Sequence, residues 1–142
     1  MPHHLLIVED EPATAWALAE GLADDGFTID TFPTAEDACR WLRRSRSDLV
    51  ISDLRLPGMS GLELARKLRR GPHAQPVIIV TAYGSPDTLR ELREAGVAAC
   101  FSKPFAMDAL RAAVRRALES RAEQRPDVRR VRRAALPRRR AA

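Results

Sequence analysis

Leu49-Val50-Ile51-Ser52-Asp53-Leu54 runs directly into Arg55-Leu56-Pro57-Gly58-Met59-Ser60-Gly61. A short apolar run rich in β-branched residues reads as a strand buried on both faces, and here it delivers a carboxylate, Asp53, to its C-terminal end just before turn residues. In an open parallel sheet that edge forms the crevice where ligands and chemistry collect. Three other segments end in the same way. Leu5-Leu6-Ile7-Val8 leads into Glu9-Asp10-Glu11, Val77-Ile78-Ile79-Val80 into Thr81-Ala82, and Ala98-Ala99-Cys100-Phe101-Ser102 into Lys103-Pro104. The pattern predicts that Glu9, Asp10, Asp53, Thr81 and Lys103 meet in space.

The chain of 142 residues has room for one ordinary domain and a tail. Two cysteines, Cys39 and Cys100, show no framework spacing, and no charged leader followed by an apolar stretch opens the sequence. A cytoplasmic protein without disulfides is expected. No apolar run approaches the roughly 18 residues needed to cross a bilayer, so no membrane partner is expected. The net charge of +5 is unevenly spread, because nine arginines from Ser120 onward face only Glu123 and Asp127. A folded domain at 1–121 and an Arg-rich tail at 122–142, disordered or weakly helical, are expected.

Between the strands the helix signals are regular. Pro12 suits a first helical turn with Leu18 and Leu22 inward, and Trp16 points about 200° away from Leu18 and is expected at the surface. Residues 27–32 alternate as a more exposed strand, and Thr34 caps a helix carrying Ala38, Trp41 and Leu42. Ser60 with Glu63 forms a capping box opening a helix that Gly71-Pro72 stops. Ser85-Pro86 opens another that ends at Gly96, and a last helix from about 106 carries Leu110, Val114 and Leu118. Five strands alternating with five helices predict an α/β fold, a doubly wound parallel sheet with helices on both faces. His3, His4 and His73 have no ligand spacing and are expected to be exposed bystanders.

The motifs Ile7-Val8-Glu9-Asp10-Glu11-Pro12, Asp53 through Gly61 and Ser102-Lys103-Pro104-Phe105, with Thr81 between them, resemble those of the receiver domain of two-component response regulators. The resemblance covers about residues 4–119. Taken singly, a strand-end Asp is commonly a helix cap, an acidic run is surface, and a Thr or Lys is a β-former or a solvated charge; together and in order they are specific. The resemblance implies the flavodoxin-like strand order 2-1-3-4-5. It implies that Asp53 accepts a phosphoryl group from a histidine kinase or phosphotransfer protein, assisted by Thr81 and Lys103. It also implies a Mg²⁺ ion held by Asp10 and Asp53, by Glu9 through water, and by the Arg55 carbonyl. Crowded carboxylates suit such a hard, oxygen-seeking cation, and in-line transfer to a carboxylate needs mainly positioning and charge neutralisation.

Output in this family passes through the helix 4, strand 5 and helix 5 face to a downstream protein or a second copy. The implied switch is Thr81 with an aromatic three residues before the lysine, where this chain has Cys100. Phe101 lies on the opposite face of the strand. Weakened coupling is expected, or transfer of the role to Tyr83. Arg55 and Tyr83, two residues beyond Asp53 and Thr81, should obstruct attacking water and give a slowly hydrolysed phosphoaspartate. Trp16 is a candidate kinase contact, since exposed large aromatics anchor interfaces.

Other functions remain open at this point. The arginines of the tail could neutralise nucleic-acid phosphates, or link to a DNA-binding effector. An Asp-based phosphatase would need a second Asp two residues after the nucleophile, where Arg55 stands. A phosphoacceptor signalling module, not an enzyme acting on other substrates, is therefore expected.

Overall fold

The computed structural model describes residues 3–82 and 84–123; the expected switch residue Tyr83, and the Arg-rich tail from 124 on, lie outside the described residues. The elements alternate strictly as β1 (His4–Val8), α1 (Pro12–Ala23), β2 (Thr28–Phe32), α2 (Ala35–Leu42), β3 (Leu49–Asp53), α3 (Gly61–Arg70), β4 (Val77–Thr81), α4 (Pro86–Glu94), β5 (Ala99–Ser102) and α5 (Met107–Glu123). All strand pairings are parallel, as the alternating elements predicted, and the order is β2-β1-β3-β4-β5, as the family resemblance implied.

The period-two alternation of each central strand divides the core into two layers. Leu5, Ile7, Leu49, Ile51, Ile78 and Val80 pack on one side, against Leu18 and Leu22 of α1 and Leu110 and Val114 of α5. Leu6, Val8, Val50, Val77 and Ile79 face the other side, against Ala38 of α2, Leu64 and Leu68 of α3 and Leu92 of α4. Every residue of β3 and β4 is buried. Both faces covered is what a parallel sheet requires, because each crossover helix lands on one face or the other.

Local chemistry sets the helix starts. Thr34, Ser60 and Ser85 each accept a backbone N–H from three residues on, and Ser60 with Glu63 closes a full capping box. Glu11 caps α1 through its own carboxylate, which accepts from Ala13 N at 3.0 Å. Of the acidic run Glu9-Asp10-Glu11, the third member thus serves the helix. Acidic residues occupy the first turns of α2, α3, α4 and α5, and basic ones their last turns. That distribution complements the helix dipoles and makes the strand C-terminal end of the molecule acidic and the opposite end basic.

His4 departs from the bystander expectation. It begins β1, its ring stacks on Trp41 at 4.9 Å, Nε2 lies 2.7 Å from Asp30 Oδ2 and Nδ1 lies 3.2 Å from Ser47 Oγ. Position three residues from the start of the sequence suggested exposure, but pairing of His4 with Thr28 across the sheet brings α2 and β2 over the ring. Trp16, 67% exposed on α1, is where the helical phase placed it.

Candidate functional site

The register makes the ends of the central strands level. Val8 pairs with Ser52, Asp53 with Val80, and Thr81 with Ser102, so the residues that follow emerge at one edge. Glu9 is fixed there by its N–H donating to Phe32 O at 3.0 Å, and Lys103 by its N–H donating to Thr81 O at 2.9 Å.

At this edge the Lys103 ammonium donates to Glu9 Oε1 and to Asp53 Oδ2, both at 3.0 Å. Glu9 Oε2 accepts Glu11 N–H at 3.2 Å, and Asp53 Oδ1 accepts Arg55 N–H at 3.3 Å. Glu9, Asp10 and Asp53 each offer a carboxylate oxygen within 4.8 Å of the others. Glu9 and Asp53 are buried and Asp10 is exposed, so the cluster has a closed back and an open front. Thr81 is fully buried at the end of β4, the strand that pairs with β3.

The electrostatics reflect this crowding. Burial pushes the Glu9 carboxyl up, the nearby Asp53 charge adds to this, and the hydrogen bonds from Lys103 and Glu11 N–H offset only part of it. For Lys103, burial acts to lower the pKa, but the hydrogen bonds and charges of Glu9 and Asp53 together outweigh it, and the net direction is upward.

The loop after β3 holds Asp53 in place. Gly58 has φ +77°, the left-handed region that favours glycine, and Met59 N–H donates to Glu36 Oε2 at 2.8 Å. Gly61 N–H donates to Leu54 O at 2.8 Å, and a Cβ at Gly61 would collide with the Asp53 carbonyl oxygen. The Pro57-Gly58-Met59-Ser60-Gly61 run therefore folds the chain tightly against the residue it must position.

The switch position behaves differently from an aromatic. Cys100 is half-buried against the α2, α3 and α4 layer, while Phe101 packs in the other layer and lies 6.0 Å from Phe105, ring to ring. Burial pushes the Cys100 thiol up, as it does that of Cys39.

The arrangement is a buried, lysine-paired carboxylate beside two further carboxylates, open on one side. Sporulation initiation phosphotransferase F of Bacillus subtilis is 35% identical over 118 residues, covering 83% of this chain and 95% of that protein. Transcriptional regulatory protein GlrR of Escherichia coli K12 is 38% identical over 122 residues, but the match spans only 27% of that longer protein. Among solved structures, the signal receiver domain of a signal transduction histidine kinase from Syntrophus aciditrophicus superposes with a TM-score of 0.77 at 32% identity, covering 83% of this chain and 91% of that one. The response regulator receiver domain family matches residues 5–115, and the chain belongs to that family.

Proposed function

We propose that Asp53 is the phosphoacceptor of this signalling domain. The observation that carries this reading is the position of the Asp53 carboxylate, buried, 3.0 Å from Lys103 Nζ and within 4.8 Å of the Glu9 and Asp10 oxygens. In transfer from a histidine kinase or phosphotransfer protein, a carboxylate oxygen of Asp53 forms the bond to phosphorus as the phosphorus–nitrogen bond of the donor phosphohistidine breaks. Lys103 provides a positive charge for the phosphoryl oxygens, and Thr81 a hydroxyl to meet them.

The donor set is all oxygen and carries three negative charges against one lysine, which fits Mg²⁺. Asp10 and Asp53 would hold it directly, Glu9 through water, with the Arg55 carbonyl as the backbone ligand. When bound, the ion neutralises charge on the transferring group. The protein promotes only its own phosphorylation and dephosphorylation.

Signal then leaves through the α4, β5 and α5 face to a downstream protein or a second copy of the chain. Cys100, smaller than an aromatic, weakens the coupling through that face. Trp16, exposed on the helix that follows Glu9 and Asp10, is the kinase-docking contact. The free cysteines fit a reducing cytoplasm, and among the described residues no helix is long and apolar enough to cross a membrane. A DNA-acting reading has one observation in its favour. DNA-binding transcriptional regulator NtrC of Escherichia coli K12 shares 33% identity over 118 residues, 25% of its length, so such a domain can stand within a longer regulator.

Incubation with a small phosphodonor and Mg²⁺, read by intact mass, tests the main reading. One added phosphoryl group in the wild type and none in Asp53→Asn is expected; equal gain in both would overturn it. Duplex-DNA binding that is lost on removing residues 122–142 would favour the second.

A further inference from the structure

At the end of the sheet opposite the acidic site, a cleft of about 610 Å³ wraps the N-terminal end of β5. Its floor is built from small side chains, Ala65 of α3 and Ala113 and Ala117 of α5, and its rim carries Arg69, Arg116 and Arg121. Among the described residues no carboxylate lines it.

Arginines at helix C-termini are expected from the dipoles alone, but two features here are not. Gln75 lines the cleft, is only 7% exposed, and among the described residues its side-chain amide makes no hydrogen bond. Buried amides usually pair within the protein, so this one is available to a molecule in the cleft. Arg116 likewise makes no hydrogen bond or ion pair among the described residues. The other two guanidiniums are held in place. Arg121 donates to Asp48 O at 2.8 Å and His73 O at 3.1 Å, while Arg69 reaches across Gly96, whose φ of +83° and missing side chain leave room for it.

We propose that this cleft binds a small organic anion bearing a phosphate group, of mononucleotide size. The volume lies within the roughly 300–1,000 Å³ of small-molecule sites. Planar guanidiniums suit phosphate oxygens, the Gln75 amide adds a directional donor, and the alanine floor accepts a flat or hydrocarbon portion.

Amide spectra of the full chain titrated with AMP, inorganic phosphate and adenosine test this. AMP should saturate and shift the amides of Gln75, Gly96 and Ser120 while leaving Lys103 unmoved, phosphate should act more weakly at the same amides, and adenosine should do nothing. Arg116→Ala should cut AMP affinity about tenfold. Gln75→Met should also lose affinity, yet melt at about the same temperature without ligand, because the amide has no partner among the described residues and the side-chain volume is similar. No saturation by AMP or phosphate, equal binding of adenosine, shifts confined to the Glu9 and Lys103 edge, or a lower melting temperature in Gln75→Met would each overturn the proposal.

Discussion

Lys103 and Asp53, fifty residues apart in the chain, meet at 3.0 Å, and the same ammonium lies 3.0 Å from Glu9. One cation thus holds two buried carboxylates that would otherwise repel each other. Lys103→Met removes it and leaves both without a counter-charge. Breaking such a pair costs about 1–3 kcal/mol after allowance for partial exposure of the lysine. Urea denaturation at pH 7.5 without Mg²⁺ should show that loss, and added Mg²⁺ should restore part of it; unchanged stability would mean that the pair contributes nothing.

The raised Glu9 pKa gives the metal-free protein a pH signature. A carboxyl that holds its proton more tightly folded than unfolded adds stability below its unfolded pKa, and that stability is lost as pH rises through the folded value. Lys103 follows the same sign at far higher pH, so it is constant across this window. Metal binding needs the deprotonated carboxylates, so it runs the other way. The melting-temperature gain from Mg²⁺ should be large at pH 7.5 and shrink toward pH 5. An equal gain at both would place the ion elsewhere.

Much of this was legible in the sequence because strand ends are cheap to read. Apolar runs of β-branched residues at Leu5, Leu49 and Val77 stop at polar groups, and a parallel sheet lines up those stops, so Glu9, Asp10, Asp53 and Lys103 could be brought together without coordinates. Ser60 with Glu63 and Ser85 with Pro86 announced their helices, the serines by accepting backbone N–H groups three residues on and Pro86 by having no N–H to leave unpaired. Long-range register was harder. His4 looked like terminal surface because its partners, Asp30, Trp41 and Ser47, lie 26 or more positions away along the chain. The cleft around Gln75 left no signal, since alanines and arginines at helix C-termini look the same whether or not they surround a cavity.

Cys39 and Cys100 should be sluggish thiols. Burial raises both pKa values, so the thiolate, the reactive form, is scarcer at neutral pH than in a free cysteine. Reaction with a colorimetric disulfide reagent at pH 7.5 should be slower than for the urea-unfolded chain, and should accelerate as pH rises above the ordinary thiol value. Fast modification of Cys100 in the folded protein would instead mark it as a redox-sensitive position.

Gly61 opens α3 and lies against the backbone of the residue it helps to position. Its substitution separates packing from conformational freedom, because the obstruction is the Asp53 carbonyl oxygen and Leu54 Cα, the latter 3.0 Å from a Cβ at this site. Backbone cannot swing away as a side chain can, so Gly61→Ala must push β3's end and the α3 start apart, at about 1–3 kcal/mol. The N–H of Gly61 binds Leu54 O at 2.8 Å, so that displacement also loosens the turn that sets Asp53 against Lys103. Slower phosphorylation from a small phosphodonor should accompany the lost stability, while Gly71→Ala, whose Cβ meets nothing closer than 3.5 Å, should change neither measurement greatly. A Gly61→Ala protein that is destabilised but phosphorylated at the wild-type rate would show that the turn supports the fold and not the acceptor.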